Sequence, residues 1–123
     1  MRPNSFPRLL LISALLLVGG CSSNNTGKIE GTEWSSAATT IKGQPLPGGA
    51  LELKFAKDGK LVYRAGPLTF TGTYSLGFGD TVTLHLDQEL AGSKTHAEKV
   101  AIAGDRLTMT DSDGTQLVFL KTK

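Results

Sequence analysis

The chain has 123 residues, 13 basic and 11 acidic side chains, one cysteine and 20% charged residues, which suits one small folded domain. A chain of this length is too short for two domains. Its 15 glycines and 5 prolines are ordinary for a loop-rich β protein.

The first twenty residues have the pattern of an export signal. The segment 1–8 contains Arg2 and Arg8 and no acidic residue, and 9–18 is an apolar run that includes one serine. A positive segment, a short apolar run and small residues before a cleavage site define such signals. A membrane-spanning helix needs about 20 apolar residues, so this run is too short for one. The alternative, a buried core helix, is disfavoured because no polar residue recurs at helical spacing among the leucines.

Small residues precede the cysteine in the motif Val18-Gly19-Gly20-Cys21. This motif resembles the lipobox of bacterial lipoproteins. The resemblance implies cleavage between Gly20 and Cys21, a diacylglycerol on the Cys21 sulfur and acylation, for example by palmitate, of the new amino terminus. It also implies attachment in the bacterial cell envelope, at the periplasmic face of the outer membrane in a diderm species, because Ser22 rather than Asp follows. Lipidation would explain an unpaired cysteine in an exported chain, and several acyl chains anchor stably where one does not.

Residues 22–28 (SSNNTGK) are small and polar, which predicts a flexible linker. The expected organisation is therefore a signal peptide at 1–20, a lipidated cysteine with its linker at 21–28, and a folded domain at 29–123. Fully extended, the linker reaches about 24 Å, at roughly 3.4 Å per residue, so the domain would work near the membrane.

The folded domain is electrically neutral once the signal is removed. Without Arg2 and Arg8 the 13 basic side chains become 11, equal to the 11 acidic ones. A neutral domain without a basic stripe lacks the electrostatic footprint of nucleic-acid binding. We therefore expect no nucleic-acid partner, and a membrane partner only through the lipid anchor.

Apolar and polar residues alternate from residue 29 onward, which predicts β-strands. In 51–55, for example, Leu51, Leu53 and Phe55 share one face. Dipeptides such as Asp58-Gly59 indicate tight hairpin turns. About eight strands are predicted, near residues 29–36, 50–56, 60–65, 69–76, 81–87, 95–102, 106–111 and 115–121. Short connections between them predict an all-β fold, a small antiparallel up-and-down β-barrel without exposed edges.

This strand pattern resembles small lipocalin-like domains of exported bacterial proteins. Gly31-Thr32-Glu33-Trp34 is similar, with one additional residue, to the Gly-x-Trp signature of the first lipocalin strand, whose tryptophan packs across the barrel floor. The resemblance implies a small hydrophobic or amphipathic ligand inside the barrel. The Pro/Gly-rich loop 42–49 occupies the place of the lipocalin lid and either gates the barrel or merely connects two strands.

Four aromatic residues are the candidates for ligand binding: Trp34, Tyr63, Tyr74 and Phe78. Large aromatic residues also build cores, and this is the preferred interpretation of Trp34. An eight-stranded barrel is either filled by its own side chains or holds one small ligand. Phe78, between two glycines, would contact a ligand, a partner or lipid, or else plug one end of the barrel.

We predict no cofactor, no metal site and no enzymatic activity. His85, Asp87 and Glu89 alternate, so a strand would place them on one face, with His96 and Glu98 on the neighbouring strand, and three or four such ligands would suit zinc. Charged residues on an outer face are usually solvated, however. A nucleophile needs an adjacent base. The only bases near neutral pKa are the two histidines, and the sequence contains no Gly-x-Ser-x-Gly motif.

Two functions remain. The preferred hypothesis is a membrane-anchored, non-enzymatic lipoprotein of the bacterial envelope that binds a small hydrophobic or amphipathic ligand. The alternative is a protein-binding module, such as a periplasmic inhibitor or an envelope assembly factor. Small periplasmic lysozyme inhibitors, which are also eight-stranded lipid-anchored barrels, motivate this alternative. A fully packed interior would count against the ligand hypothesis.

Overall fold

A computed structural model describes residues 23–123, so the predicted signal peptide, Cys21 and Ser22 lie outside the described residues. Ten strands occur in this range: β1 (Thr32–Ser36), β2 (Thr39–Ile41), β3 (Gln44–Leu46), β4 (Leu51–Phe55), β5 (Lys60–Ala65), β6 (Leu68–Leu76), β7 (Thr81–Leu90), β8 (Ser93–Ala103), β9 (Arg106–Thr110) and β10 (Gln116–Lys121). No helix within residues 23–123 is long and apolar enough to cross a membrane.

Eight of these strands close into an antiparallel barrel. Its strands follow the chain order from β4 to β10, and β1 completes the circle between β4 and β10. In the closing pair Trp34 lies opposite Lys121 and Ser36 lies opposite Phe119. The predicted all-β, up-and-down barrel of about eight strands is confirmed.

The core is formed by the alternate residues that point inward. Every barrel strand contributes at least one buried apolar side chain, and Ile29 adds one from the segment before β1. Burial of such side chains away from water is the main favourable contribution to folding. The fourteen buried apolar residues of the described chain are Ile29, Trp34, Leu53, Phe55, Leu61, Phe70, Tyr74, Val82, Leu84, Leu86, Val100, Leu107, Met109 and Phe119.

Two hairpin segments were not among the predicted strands: one is an additional small hairpin, and the other lengthens two predicted strands. The Pro/Gly-rich loop 42–49 begins within the small hairpin β2–β3, whose turn places Lys42 and Gly43 at φ of 50° and 81°. The segment 88–94, which lies between two of the predicted strands, belongs mostly to the β7–β8 hairpin, which turns at Ala91 and Gly92. These segments carry little apolar alternation, so the periodicity of the sequence could not reveal them.

Residues 23–28, for which a flexible linker was expected, instead lie against one end of the barrel. The backbone N–H of Asn24 donates to the Gly79 carbonyl at 2.8 Å. The Asn25 side chain is 1% exposed, and its Nδ2 donates to the Val100 carbonyl at 3.1 Å. The Asn25 carbonyl accepts the N–H groups of Lys28 and Ile29, which forms a compact turn. We call this end, closed by residues 23–31, the N-terminal end; the opposite end, which carries β2–β3, is the hairpin end.

Two further hydrogen bonds, made in series by buried side chains, join this turn to β1. The indole Nε1 of Trp34 donates to Thr32 Oγ1 at 2.7 Å. The Thr32 hydroxyl in turn donates to the Ile29 carbonyl. Both side chains are buried, so these polar groups are satisfied within the protein, as buried polar groups must be.

A close approach of β6 and β7 requires glycine at position 72. Gly72 pairs with Leu86, and a Cβ atom at residue 72 would lie 2.0 Å from the His85 carbonyl oxygen. The obstacle is backbone, so it cannot be relieved by a side-chain rotation. Glycine inside a strand often marks such a sharp bend.

Replacing Asn25 with Ala should destabilise the fold by about 1–3 kcal/mol, because the buried Val100 carbonyl loses its partner. Asn24→Ala is the matched control: its side chain bonds Asp80 Oδ1 at 2.7 Å in solvent, and its loss should cost within about 0.5 kcal/mol. Denaturant unfolding of the non-lipidated Cys21→Ser chain measures both. Equal stabilities would contradict the structural role of Asn25.

Gly72→Ala should cost about 1–3 kcal/mol, because the β6–β7 pair must move apart to admit one methyl group. Gly48→Ala provides the comparison. Its Cβ would meet nothing closer than the Ala38 nitrogen at 3.6 Å, so its effect should remain within about 0.5 kcal/mol. Thermal unfolding monitored by circular dichroism distinguishes the two, and a tolerated Gly72→Ala would contradict the close approach.

Candidate functional site

Three of the four aromatic candidates face the barrel interior, and two of these are core residues. Trp34 is 1% exposed, and Tyr74 is buried with its hydroxyl donating to the Ala56 carbonyl at 2.6 Å. The Tyr74 ring meets Phe55 edge-to-face, with ring centres 5.1 Å apart. Their polar atoms are therefore already used inside the protein.

The other two candidates differ from these and from each other. Tyr63 points inward, is half-buried and packs beside Phe70 with ring centres 6.0 Å apart. Phe78 is 72% exposed in the turn between β6 and β7. It therefore does not plug the barrel, and it does not share a site with the other three.

A different feature of the barrel wall offers an opening. The β8–β9 ladder ends with the pair Lys99–Thr110. The next step would place Glu98 opposite Asp111, and like charges directly opposite each other destabilise a strand pair. Beyond this point β9 turns away, while β8 continues back to Ser93. Within residues 23–123 no strand pairs with 93–98 on that side.

A groove of about 420 Å³ lies where this free edge of β8 begins, beside the β9–β10 turn. Free strand edges present unpaired backbone N–H and C=O groups, to which an extended segment of another chain can add. We call this feature the β8 edge groove. Its lining residues are Thr81, Ala97, Glu98, Lys99, Thr110, Asp111, Ser112 and Gly114.

The turn between β9 and β10 fixes the acidic side of the groove. Asp111 Oδ1 accepts the backbone N–H groups of Asp113 at 3.1 Å and Thr115 at 3.0 Å. Asp113 Oδ2 accepts Lys42 Nζ at 3.0 Å, which ties the β2–β3 hairpin to this turn. The carboxylates thus hold the local backbone in place.

Burial, neighbouring charges and hydrogen bonds shift the pKa values of groups around the groove. Burial raises the pKa of Glu98, and the nearby Asp111 and Asp113 raise it further, partly offset by His96. Burial, followed by the charge of Glu98, raises the pKa of Tyr63. In contrast, hydrogen bonding with Asp111, Thr115 and Lys42 holds the pKa of Asp113 well below its usual range.

The five residues considered for zinc do not share a face. His85 pairs with Thr95, whereas His96 pairs with Leu84. Since directly paired residues point to the same side of a sheet, the two histidines point to opposite sides. Among residues 23–123 no group of three or more His, Cys, Asp or Glu side chains is arranged to hold a metal ion.

Sequence reasoning placed Asp111 at the end of a predicted strand and named Glu98 only as a member of the zinc set. Their meeting depends on the β8–β9 register, which alternation alone does not specify.

In comparisons with known proteins, the chain matches no protein-family model, no curated protein and no solved structure.

Glu98→Gln should stabilise the protein at neutral pH by about 0.5 kcal/mol or less, since the group is half-exposed. The raised pKa means that the folded state holds the Glu98 proton more tightly than the unfolded chain. Wild-type stability therefore declines as pH rises from the ordinary glutamate value of 4.5 through the raised one. Below this window the variant and the wild type should be equally stable. Unfolding free energies across pH measure the difference, and a variant that is less stable at neutral pH would contradict it.

Proposed function

We propose that this chain is a lipid-anchored, non-enzymatic module of the bacterial envelope that binds an extended segment of a partner protein along the β8 edge groove. The observation that carries the proposal is the free edge of β8 beside Glu98 and Asp111. The β8–β9 ladder stops at Lys99–Thr110 although β8 begins at Ser93, so the β8 edge offers backbone groups for pairing with a partner.

The anchor is proposed from the sequence. The lipobox-like motif ending at Cys21 follows a short apolar signal, and acylation there would hold the module at a membrane. The described chain begins at Ser23, two residues later. A module held this way works on partners in the envelope.

Charge defines the proposed partner segment. Glu98 and Asp111 line the groove together with Lys99, and the neighbouring Asp113 is already paired with Lys42. A lysine or arginine on the partner would relieve the repulsion between Glu98 and Asp111, and a charge-assisted hydrogen bond would add to the backbone pairing. We therefore propose a segment that is extended and basic.

The interior supports this proposal over the ligand carrier. Trp34 and Tyr74 are buried against their neighbours, with their N–H and O–H groups bonded inside the protein. Neither presents a polar group to an entering ligand. An eight-stranded barrel can be filled by its own side chains alone.

A small hydrophobic ligand remains a second candidate because of one observation. Leu51, Tyr63, Leu90 and Leu117 pack on the core but are only partly buried. Leu51, Leu90 and Leu117 belong to the hairpin end, where β4 and β10 begin and β7 ends. A ligand there would cover apolar surface that the core leaves accessible.

Site-specific photocrosslinking in intact cells tests the partner. A photoreactive residue at the exposed edge position Ala97 should give a discrete protein adduct. The adduct should weaken strongly in a Glu98→Gln, Asp111→Asn background, because the attraction for a basic segment is lost. The same probe at Lys54, an exposed position on β4, is the control and should give no such adduct.

An adduct that persists at equal strength in the neutralised background would contradict the charge argument. Absence of any adduct from Ala97 would remove the partner proposal. Native mass spectrometry of the Cys21→Ser chain addresses the second candidate: an added mass that disappears on denaturation, and that Tyr63→Ala abolishes, would favour the ligand carrier instead.

A further inference from the structure

Phe78 projects from the hydrogen-bonded turn between β6 and β7. It lies between Gly77 and Gly79, and the Gly77 N–H donates to the Thr81 carbonyl at 2.8 Å. Gly79 has a φ of 68°, which favours glycine over other residues. At 72% exposed, Phe78 is the most accessible large apolar side chain of the described chain, ahead of Leu68 at 58%. A single exposed apolar residue is ordinary on a protein surface, so its meaning depends on what lies beside it.

The first described residues, Ser23 and Asn24, lie beside Phe78. Ser23 forms a parallel bridge with Gly79, and the Asn24 N–H donates to the Gly79 carbonyl. Asn24 Nδ2 also donates to Asp80 Oδ1 at 2.7 Å. The residue that precedes the described chain by two, Cys21, can therefore be no more than about 7 Å of extended chain away from Ser23.

This distance restricts the orientation of an anchored barrel. An acylated Cys21 would lie at the lipid interface, and apolar groups at such an interface are buried roughly 5–10 Å into the boundary between headgroups and acyl chains. The Phe78 turn would then be within reach of the same depth. The docking of residues 23–28 leaves no long tether that would let the barrel turn this end away.

Charge does not oppose the contact. The turns and terminal segments at the N-terminal end carry three lysines and four acidic residues, namely Lys28, Lys57 and Lys123 with Glu30, Asp58, Asp80 and Asp105. This nearly neutral surface neither repels anionic lipid nor forms a polybasic patch. The apolar side chain is therefore the main protein contribution to contact with lipid.

We infer that the Phe78 turn inserts into the lipid interface next to the anchor, so that the barrel stands with its N-terminal end on the membrane and its hairpin end outward. This inference rests on the proposed anchoring at Cys21. It deepens that proposal by naming a lipid surface as the partner of a specific turn.

The test uses the full, processed chain reconstituted into vesicles of phosphatidylethanolamine and phosphatidylglycerol. With Cys21 acylated, Phe78→Cys supplies the one free thiol of the chain, which is labelled with an environment-sensitive fluorophore. Leu68→Cys, at the start of β6 at the hairpin end, is the matched control. The label at 78 should show blue-shifted emission and be quenched several-fold more strongly than the label at 68 by nitroxides placed near the lipid headgroups.

The outcomes separate the two proposals. If the chain is acylated and bound to vesicles but both labels report water, the orientation is overturned while the anchoring stands. If intact mass shows no acyl groups and the protein remains unbound, the anchoring is overturned, and the orientation with it. Equal quenching at both positions would also overturn the inference, because it would indicate no preferred orientation.

Discussion

The hydrogen bond from the Asn25 side chain to the Val100 carbonyl holds the start of the described chain in one end of the barrel. Strand β7 begins at Thr81, and the carbonyl just before it, that of Asp80, accepts the Val100 N–H. The Asn25 side chain donates to the Val100 carbonyl, and so takes the place of the backbone N–H that a neighbouring strand would supply. Because the Asn25 side-chain amide is buried, it is held by this one hydrogen bond and does not exchange among several contacts with water. The position of the first described residues beside Gly79 follows from this contact.

The two ends of the barrel are consequently different in kind. The N-terminal end is closed by Ile29 and by the bonded series from Trp34 through Thr32. The hairpin end carries β2–β3, which Lys42 ties to the β9–β10 turn. Along the wall, the β8–β9 ladder stops where two carboxylates would oppose each other. In the proposed function, the N-terminal end would be held at the membrane and the β8 edge would remain accessible to a partner.

The strands of the barrel were predictable because the sequence patterns that specify strands and turns are local. Alternation such as Leu51, Leu53 and Phe55, together with Asp-Gly turns, specifies strands and their connections without reference to the rest of the chain. The docking of Asn25 was not predictable, since an asparagine in a small polar segment has the composition of a linker, and its acceptor lies 75 residues away. The groove was equally hidden: Glu98 and Asp111 meet only through register, which sequence alternation leaves open.

Closure of the barrel between β1 and β10 has a consequence for how the chain acquires its structure. The pair Trp34–Lys121 joins strands from nearly opposite ends of the described chain, so the entropy of a long loop must be overcome before the pair is formed. Strand β1 is synthesised before the other strands, yet one of its two neighbours is made after all of them. Until then its edge and the Trp34 face remain open to other chains, which makes the incomplete barrel, rather than the finished one, the species most in need of protection by chaperones.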